Sequence, residues 1–90
     1  MTRYTVHFSG NVQGVGFRYT TVRIAENYEV AGYVQNLEDG RVRLVAEGRK
    51  MQLDGLVNHI LSQMDRYIKS HTVDEAEPTG EFGGRFQIRH

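Results

Sequence analysis

Gly10 to Arg18 reads GNVQGVGFR, and the rest of the chain is arranged around it. Before it, Tyr4, Val6 and Phe8 alternate with Thr5, His7 and Ser9, the period of two expected of a strand with one buried face. After it, Phe17, Thr21, Ile24, Ala25 and Tyr28 recur at the spacing of one helical stripe, so a helix starts near Phe17. The stretch is therefore a strand-to-helix connection, with three glycines in nine residues. Glycine lets backbone approach a ligand closely and take positive φ without steric cost. Where such a turn feeds a helix, unpaired first-turn N–H groups and the positive end of the dipole converge on one point, which suits an oxyanion. Arg18 adds a planar fork of donors that matches phosphate or carboxylate oxygens. A cation at that end of a helix opposes the dipole, which argues that an anion holds it there. The glycine spacing fits neither the Walker pattern nor the dinucleotide fingerprint, and a plain tight turn is the bland alternative.

Outward from this connection, Val30 to Asn36 returns to β-branched and aromatic residues, and Arg41 to Glu47 alternates with Val42, Leu44 and Ala46 on one side. Leu37 to Gly40 lies between, and its Asp-Gly pair between two strand-like runs predicts a hairpin. Leu53, Leu56, Val57, Ile60, Leu61, Met64 and Ile68 predict a second amphipathic helix, with Asp54, Asn58, Gln63 and Asp65 opposite. Gly55 weakens it by roughly 1 kcal/mol relative to alanine. Thr72 to Glu77 reads as a weaker strand ended by Pro78 and the turn-rich TGEFGG, and Phe86 and Ile88 mark a short final strand. The order β-α-β-β-α-β plus a C-terminal strand predicts an α+β sandwich: an antiparallel sheet, its first strand central, with two helices on one face. Residues 1–90 are expected to form one domain, without repeats, linkers or low-complexity tracts.

Composition narrows the function classes. Ninety residues allow one core with little margin, since a chain this size buries only about 60–65% of its extended surface. Eleven basic and eleven acidic residues balance, which argues against a general electrostatic grip on nucleic acid or an anionic membrane. There is no cysteine, so disulfides, thiol catalysis and thiolate metal sites are excluded. No apolar run approaches the ~18 residues of a membrane span, and MTRYTVHF lacks a signal peptide's apolar core. The expectation is a cytoplasmic monomer. His7, His59, His71 and His90 are scattered without metal-ligand spacing, so no metal and no cofactor are expected. Arg41 and Arg43 alternate with Glu47 on what reads as a solvated sheet face.

Asn36 ends the strand before the hairpin turn, and a split β-α-β arrangement brings it toward the glycine loop. Asparagine is favoured at turn starts for local backbone bonding; the functional reading is an amide that holds a water or a phosphate oxygen. VQGVGFR at Val12–Arg18, GYVQNLEDGRV at Gly32–Val42 and the Glu47-Gly48 pair together resemble the acylphosphatase family, over Tyr4 to Ile88. The resemblance implies a ferredoxin-like sandwich and hydrolysis of small acyl phosphates to a carboxylate and inorganic phosphate, without metal or covalent intermediate. It implies that the backbone amides of Gln13, Gly14, Val15, Gly16, Phe17 and Arg18 bind the phosphoryl group, that Arg18 clamps it, and that Asn36 orients the attacking water.

The chain departs from that family's pattern at three places. Glu29 stands where a glycine is common, so the first helix is expected to end with Asn27 in the left-handed region. Tyr33 stands where relatives often carry tryptophan, and Gln35 where a basic residue is common, so that loss of charge beside Asn36 could alter rate or substrate preference. Two other functions share the topology. One is a non-catalytic module that binds phosphate or another anion for regulation. The other is an RNA-binding module, which would place aromatics and basic residues on the open sheet face in a pattern this chain lacks.

Overall fold

The computed structural model describes residues 1–90 as a sheet layer and a helix layer. Strand β1 spans Thr2–Gly10, helix α1 Phe17–Ala25, β2 Val30–Asn36, β3 Val42–Gly48, helix α2 Lys50–Gln63, β4 Ile68–Ala76 and β5 Phe86–Arg89. The sheet order is β4-β1-β3-β2-β5, the ferredoxin-like α+β sandwich with one added edge strand. β3, not β1, is the central strand, and β1 lies beside it. The sheet is mixed rather than antiparallel, because β5 pairs with β2 in parallel. The segment after β4 reverses direction as it crosses to the far edge, so β5 runs against β4 and along β2.

Alternation sorts the two faces. Tyr4, Val6 and Phe8 lie in register with Ala46, Leu44 and Val42, and these with Gly32, Val34 and Asn36. The apolar members of those rows are buried against Phe17 and Ile24 of α1 and Leu53, Leu56 and Ile60 of α2. Asn36 thus ends a helix-facing row that runs Phe8, Val42, Asn36, and the ring of Phe8 stands 5.2 Å from that of Phe17 at the start of α1. The strand register is what carries a hairpin residue to the helix N-terminus.

Four expectations need correction. The second helix stops at Gln63: Met64 caps it at φ −106°, Asp65–Tyr67 form a single 3-10 turn, and Ile68 already opens β4, ahead of Thr72. The apolar stripe continues through that turn, because Met64 and Ile68 both reach the core from a chain that has changed direction. Asn27 is not left-handed, as no residue other than glycine has positive φ. Instead its side-chain Nδ2 donates to the Ile24 carbonyl at 3.2 Å, satisfying a helix-end acceptor directly. Gly55 does more than weaken α2: a Cβ there would stand 2.6 Å from Cε1 of Tyr28, so the helix needs glycine to seat that ring.

Glu47 is not on a solvated face; it is buried at 7% exposure. Its carboxylate accepts hydrogen bonds from the backbone N–H groups of Thr79 and Gly80, the Thr79 hydroxyl and Arg3 Nη1, all between 2.8 and 3.0 Å. Burial alone pushes its pKa up, but these donors outweigh it and hold the carboxyl below its ordinary value. The segment between β4 and β5 is strapped in this way across the sheet face opposite the helices, where Phe82 meets the ring of Tyr33 edge-on at 5.9 Å.

Candidate active site

The loop between β1 and α1 begins in a bulge. The β1–β4 register shifts between Ser9 and Gly10, and Gly10 at φ 131° comes so close to β4 that a Cβ would lie 2.5 Å from the Tyr67 carbonyl oxygen. Asn11 N–H then donates to that same oxygen at 2.9 Å, and Val12 is fully buried. Gly14 and Gly16 have φ of 77° and 74°, which is why glycine is required there. Space is not the reason, for a Cβ at either would meet nothing within 4 Å, and both are exposed.

Gly16 is the N-cap of α1, with no side-chain cap and no acidic residue in the first turn. The first-turn N–H groups therefore face outward without a side-chain acceptor, beside the open arc of Gly14 to Gly16. That arc borders a cavity of about 170 Å³ lined by Val12, Gly14, Gly16, Phe17, Arg18, Tyr19, Asn36 and Ile88. Arg18 is half-buried and is in no ion pair with a carboxylate; its Nη1 lies 3.4 Å from Nδ1 of His90. Asn36 presents an Oδ1 that is buried and has no hydrogen-bond partner. An orphaned acceptor of this kind costs about 1–3 kcal/mol, and at a cavity wall it is open to a water or a ligand. One small cavity thus collects a guanidinium, a helix N-terminus and a primary amide: donors enough for an oxyanion, with an amide oxygen to hold a water.

Of the residues expected here, Gly14, Gly16, Phe17, Arg18 and Asn36 line the cavity, and Gln13 and Val15 do not. Val15 packs against the core. Gln13 turns its side chain to the hairpin, where Nε2 donates to the carbonyls of Leu37 and Arg41. Val12, Tyr19, Ile88 and the neighbouring His90 were not anticipated. Tyr19 follows Arg18 directly and was within reach of sequence reasoning, whereas Ile88 and His90 arrive through the parallel pairing of β5, which no local pattern encodes.

The two substitutions around Asn36 face the other way. Tyr33 lies under the Arg89 guanidinium, 3.6 Å from the ring centroid, and Oε1 of Gln35 accepts from Arg43 Nη2 at 3.3 Å. Both alternate with Asn36 along β2 and so belong to the opposite sheet face. The histidines are likewise away from the cavity, His90 excepted: Nδ1 of His59 lies 3.1 Å from the Tyr28 hydroxyl, and burial, with Arg41 and Arg43 nearby, holds His7 below its ordinary pKa. No helix is long and apolar enough to cross a membrane.

Comparison with known proteins identifies the family. A family model described as Acylphosphatase matches residues 4–88. An acylphosphatase of Archaeoglobus fulgidus is 47% identical over 62 residues, covering 69% of this chain and 70% of its own. One from Ligilactobacillus salivarius is 38% identical over 77 residues, 86% of each chain. Among solved structures, the acylphosphatase of Bacillus subtilis superposes with a TM-score of 0.89 at 32% identity and covers 100% of both chains.

Proposed function

The chain belongs to the acylphosphatase family of enzymes, and from that premise we propose that it hydrolyses the carboxyl–phosphate bond of small acyl phosphates to a carboxylate and inorganic phosphate. The phosphoryl oxygens are received by the backbone N–H groups from Gln13 to Arg18 and by the Arg18 guanidinium. The Asn36 amide holds a water on the far side of the phosphorus, in line with the leaving carboxylate. The water oxygen forms the new P–O bond, the carboxylate departs with the electron pair of the old one, and the proton passes to a phosphoryl oxygen of the substrate. A carboxylate is a good leaving group, so positioning and charge stabilisation suffice and no strong base is needed. This accounts for a site without a histidine, cysteine or carboxylate among its lining residues.

The observation that carries the reading is the unpartnered Oδ1 of Asn36, across one cavity from Arg18 and the N-terminus of α1. The test is hydrolysis of benzoyl phosphate, followed by loss of its ultraviolet absorbance with chelator present, for the wild type, Arg18→Ala and Asn36→Ala. We expect rapid wild-type turnover, with Arg18→Ala losing on the order of 3–4 kcal/mol in kcat/KM, the scale of a lost oxyanion donor. Wild-type rates in Arg18→Ala would sink the assignment. Absent turnover with thermal protection by inorganic phosphate would mark a module that binds the anion and does not catalyse.

A further inference from the structure

Gln13 lies in the middle of the anion-facing loop, yet its side chain serves another element. Its single NH₂ group spends both protons on the hairpin: Nε2 donates to the Leu37 carbonyl at 2.8 Å and to the Arg41 carbonyl at 3.0 Å. These carbonyls are already engaged. Leu37 N–H donates to the Arg41 oxygen at 2.8 Å, and Gly40 N–H to the Leu37 oxygen at 3.2 Å, so each accepts two bonds in all. Leu37 follows Asn36 and Arg41 precedes Val42, and Asn36 pairs with Val42 across the ladder. The amide of Gln13 therefore grips the hairpin at both residues bordering the pair that carries Asn36. No other side chain in the loop bonds to the β2–β3 hairpin; the one further side-chain polar contact from the loop, that of Arg18, goes to His90.

On the reading that Asn36 orients the attacking water, we propose that Gln13 is a positioning residue: its side-chain amide sets the distance between the phosphoryl cradle and Asn36. The opposite side of the loop is already fixed by Asn11 N–H on the Tyr67 carbonyl and by the close approach of Gly10 to β4. Gln13 supplies the second anchor, and the arc from Gly14 to Gly16 runs from it to the buried Phe17 at the start of α1. The chemistry demands glutamine. Asparagine is one methylene short of both carbonyls, and glutamate of the same length has no N–H to donate and sets a charge against two acceptors.

The test is a double-mutant cycle in the intact protein, with Gln13→Ala, Gln13→Glu, Asn36→Ala and the Gln13→Ala/Asn36→Ala pair, measuring kcat and KM for benzoyl phosphate and inhibition by inorganic phosphate. Gln13→Glu preserves size, so it reports on the two hydrogen bonds even where Gln13→Ala folds poorly. We expect either single change at Gln13 to lower kcat about 10- to 100-fold, the scale of a misplaced reacting group, with phosphate inhibition within about threefold of wild type. In the Asn36→Ala background, Gln13→Ala should change kcat by less than about twofold, because the group it positions is gone. Losses that multiply in the double variant, or wild-type kcat in both Gln13 variants, overturn the proposal and leave the role of Asn36 standing. Wild-type kcat in Asn36→Ala overturns the role of Asn36 itself, and the proposal with it.

Discussion

Thr21 and Asn36 share one physical defect, a buried side-chain oxygen without a hydrogen-bond partner. Thr21 is fully buried on the inner face of α1, and it lines no part of the candidate site. Its hydroxyl has lost water and gained nothing, so the isosteric Thr21→Val should stabilise the protein by up to about 1 kcal/mol in chemical denaturation, with kcat unchanged. A loss of more than that would mean the hydroxyl finds a partner in solution. At Asn36 the same arithmetic has the opposite functional sign. Asn36→Ala relieves the orphaned oxygen at the expense of a small void, so stability should stay within about 1 kcal/mol of wild type while turnover collapses. A variant that keeps its melting temperature and loses its rate separates an atom kept for chemistry from one kept for packing.

Among the elements, β2 is the most constrained at one point. Gly32 has φ 155°, and a Cβ there would lie 1.8 Å from the Val45 carbonyl oxygen on the neighbouring strand. Gly32→Ala should therefore cost more than about 3 kcal/mol, with strain and lost pairing combined, and should show as insoluble or poorly cooperative protein. Gly55→Ala tests the second helix: the gain of about 1 kcal/mol expected of alanine in a helix should fail to appear, since the new methyl displaces the Tyr28 ring and disturbs its contact with His59. The sequence carried most of this level. The hairpin was legible because Asp39-Gly40 interrupts two alternating runs, and the loop because its three glycines lead into a helix that opens with Phe17 and Arg18. β4 was placed late because it is an exposed edge strand: from Lys69 to Ala76 every residue is exposed, so no buried face imposed alternation on its sequence. The tie from Gln13 to Leu37 and Arg41 joins residues 24 and 28 positions apart, and such pairing is fixed by sheet register, which a single sequence does not display.

At the scale of the whole molecule, Glu47 couples the centre of the sheet to the segment that returns to β5. Arg3 joins it from β1, with Nη1 at 3.0 Å from Glu47 and 2.6 Å from Glu81. Removing the charge while keeping the shape, as in Glu47→Gln, should cost about 1–3 kcal/mol, because one half-buried guanidinium and two amide donors lose their charged acceptor. The pH dependence has a definite sign. The folded-state pKa of Glu47 lies below its ordinary value of 4.5, so its contribution is complete above pH 4.5 and is lost as the pH falls through the lowered value. The stability gap between wild type and Glu47→Gln, followed by denaturation at a series of pH values, should therefore be constant at neutral pH and close on acidification. A gap that widens toward acid would contradict the placement of this carboxylate.

The contact of His90 with Arg18 has a practical side. His90 follows β5, whose Arg89 pairs with Gln35, whereas Met1 precedes Thr2, which pairs with Gly48 at the other end of β3. Six residues of strand separate these ends, a span of about 20 Å. A purification handle or surface linker fused after His90 would emerge against the guanidinium at the mouth of the cavity and crowd whatever enters it. The same handle fused before Met1, which is 79% exposed, stands clear and leaves the mouth facing solution when the protein is immobilised.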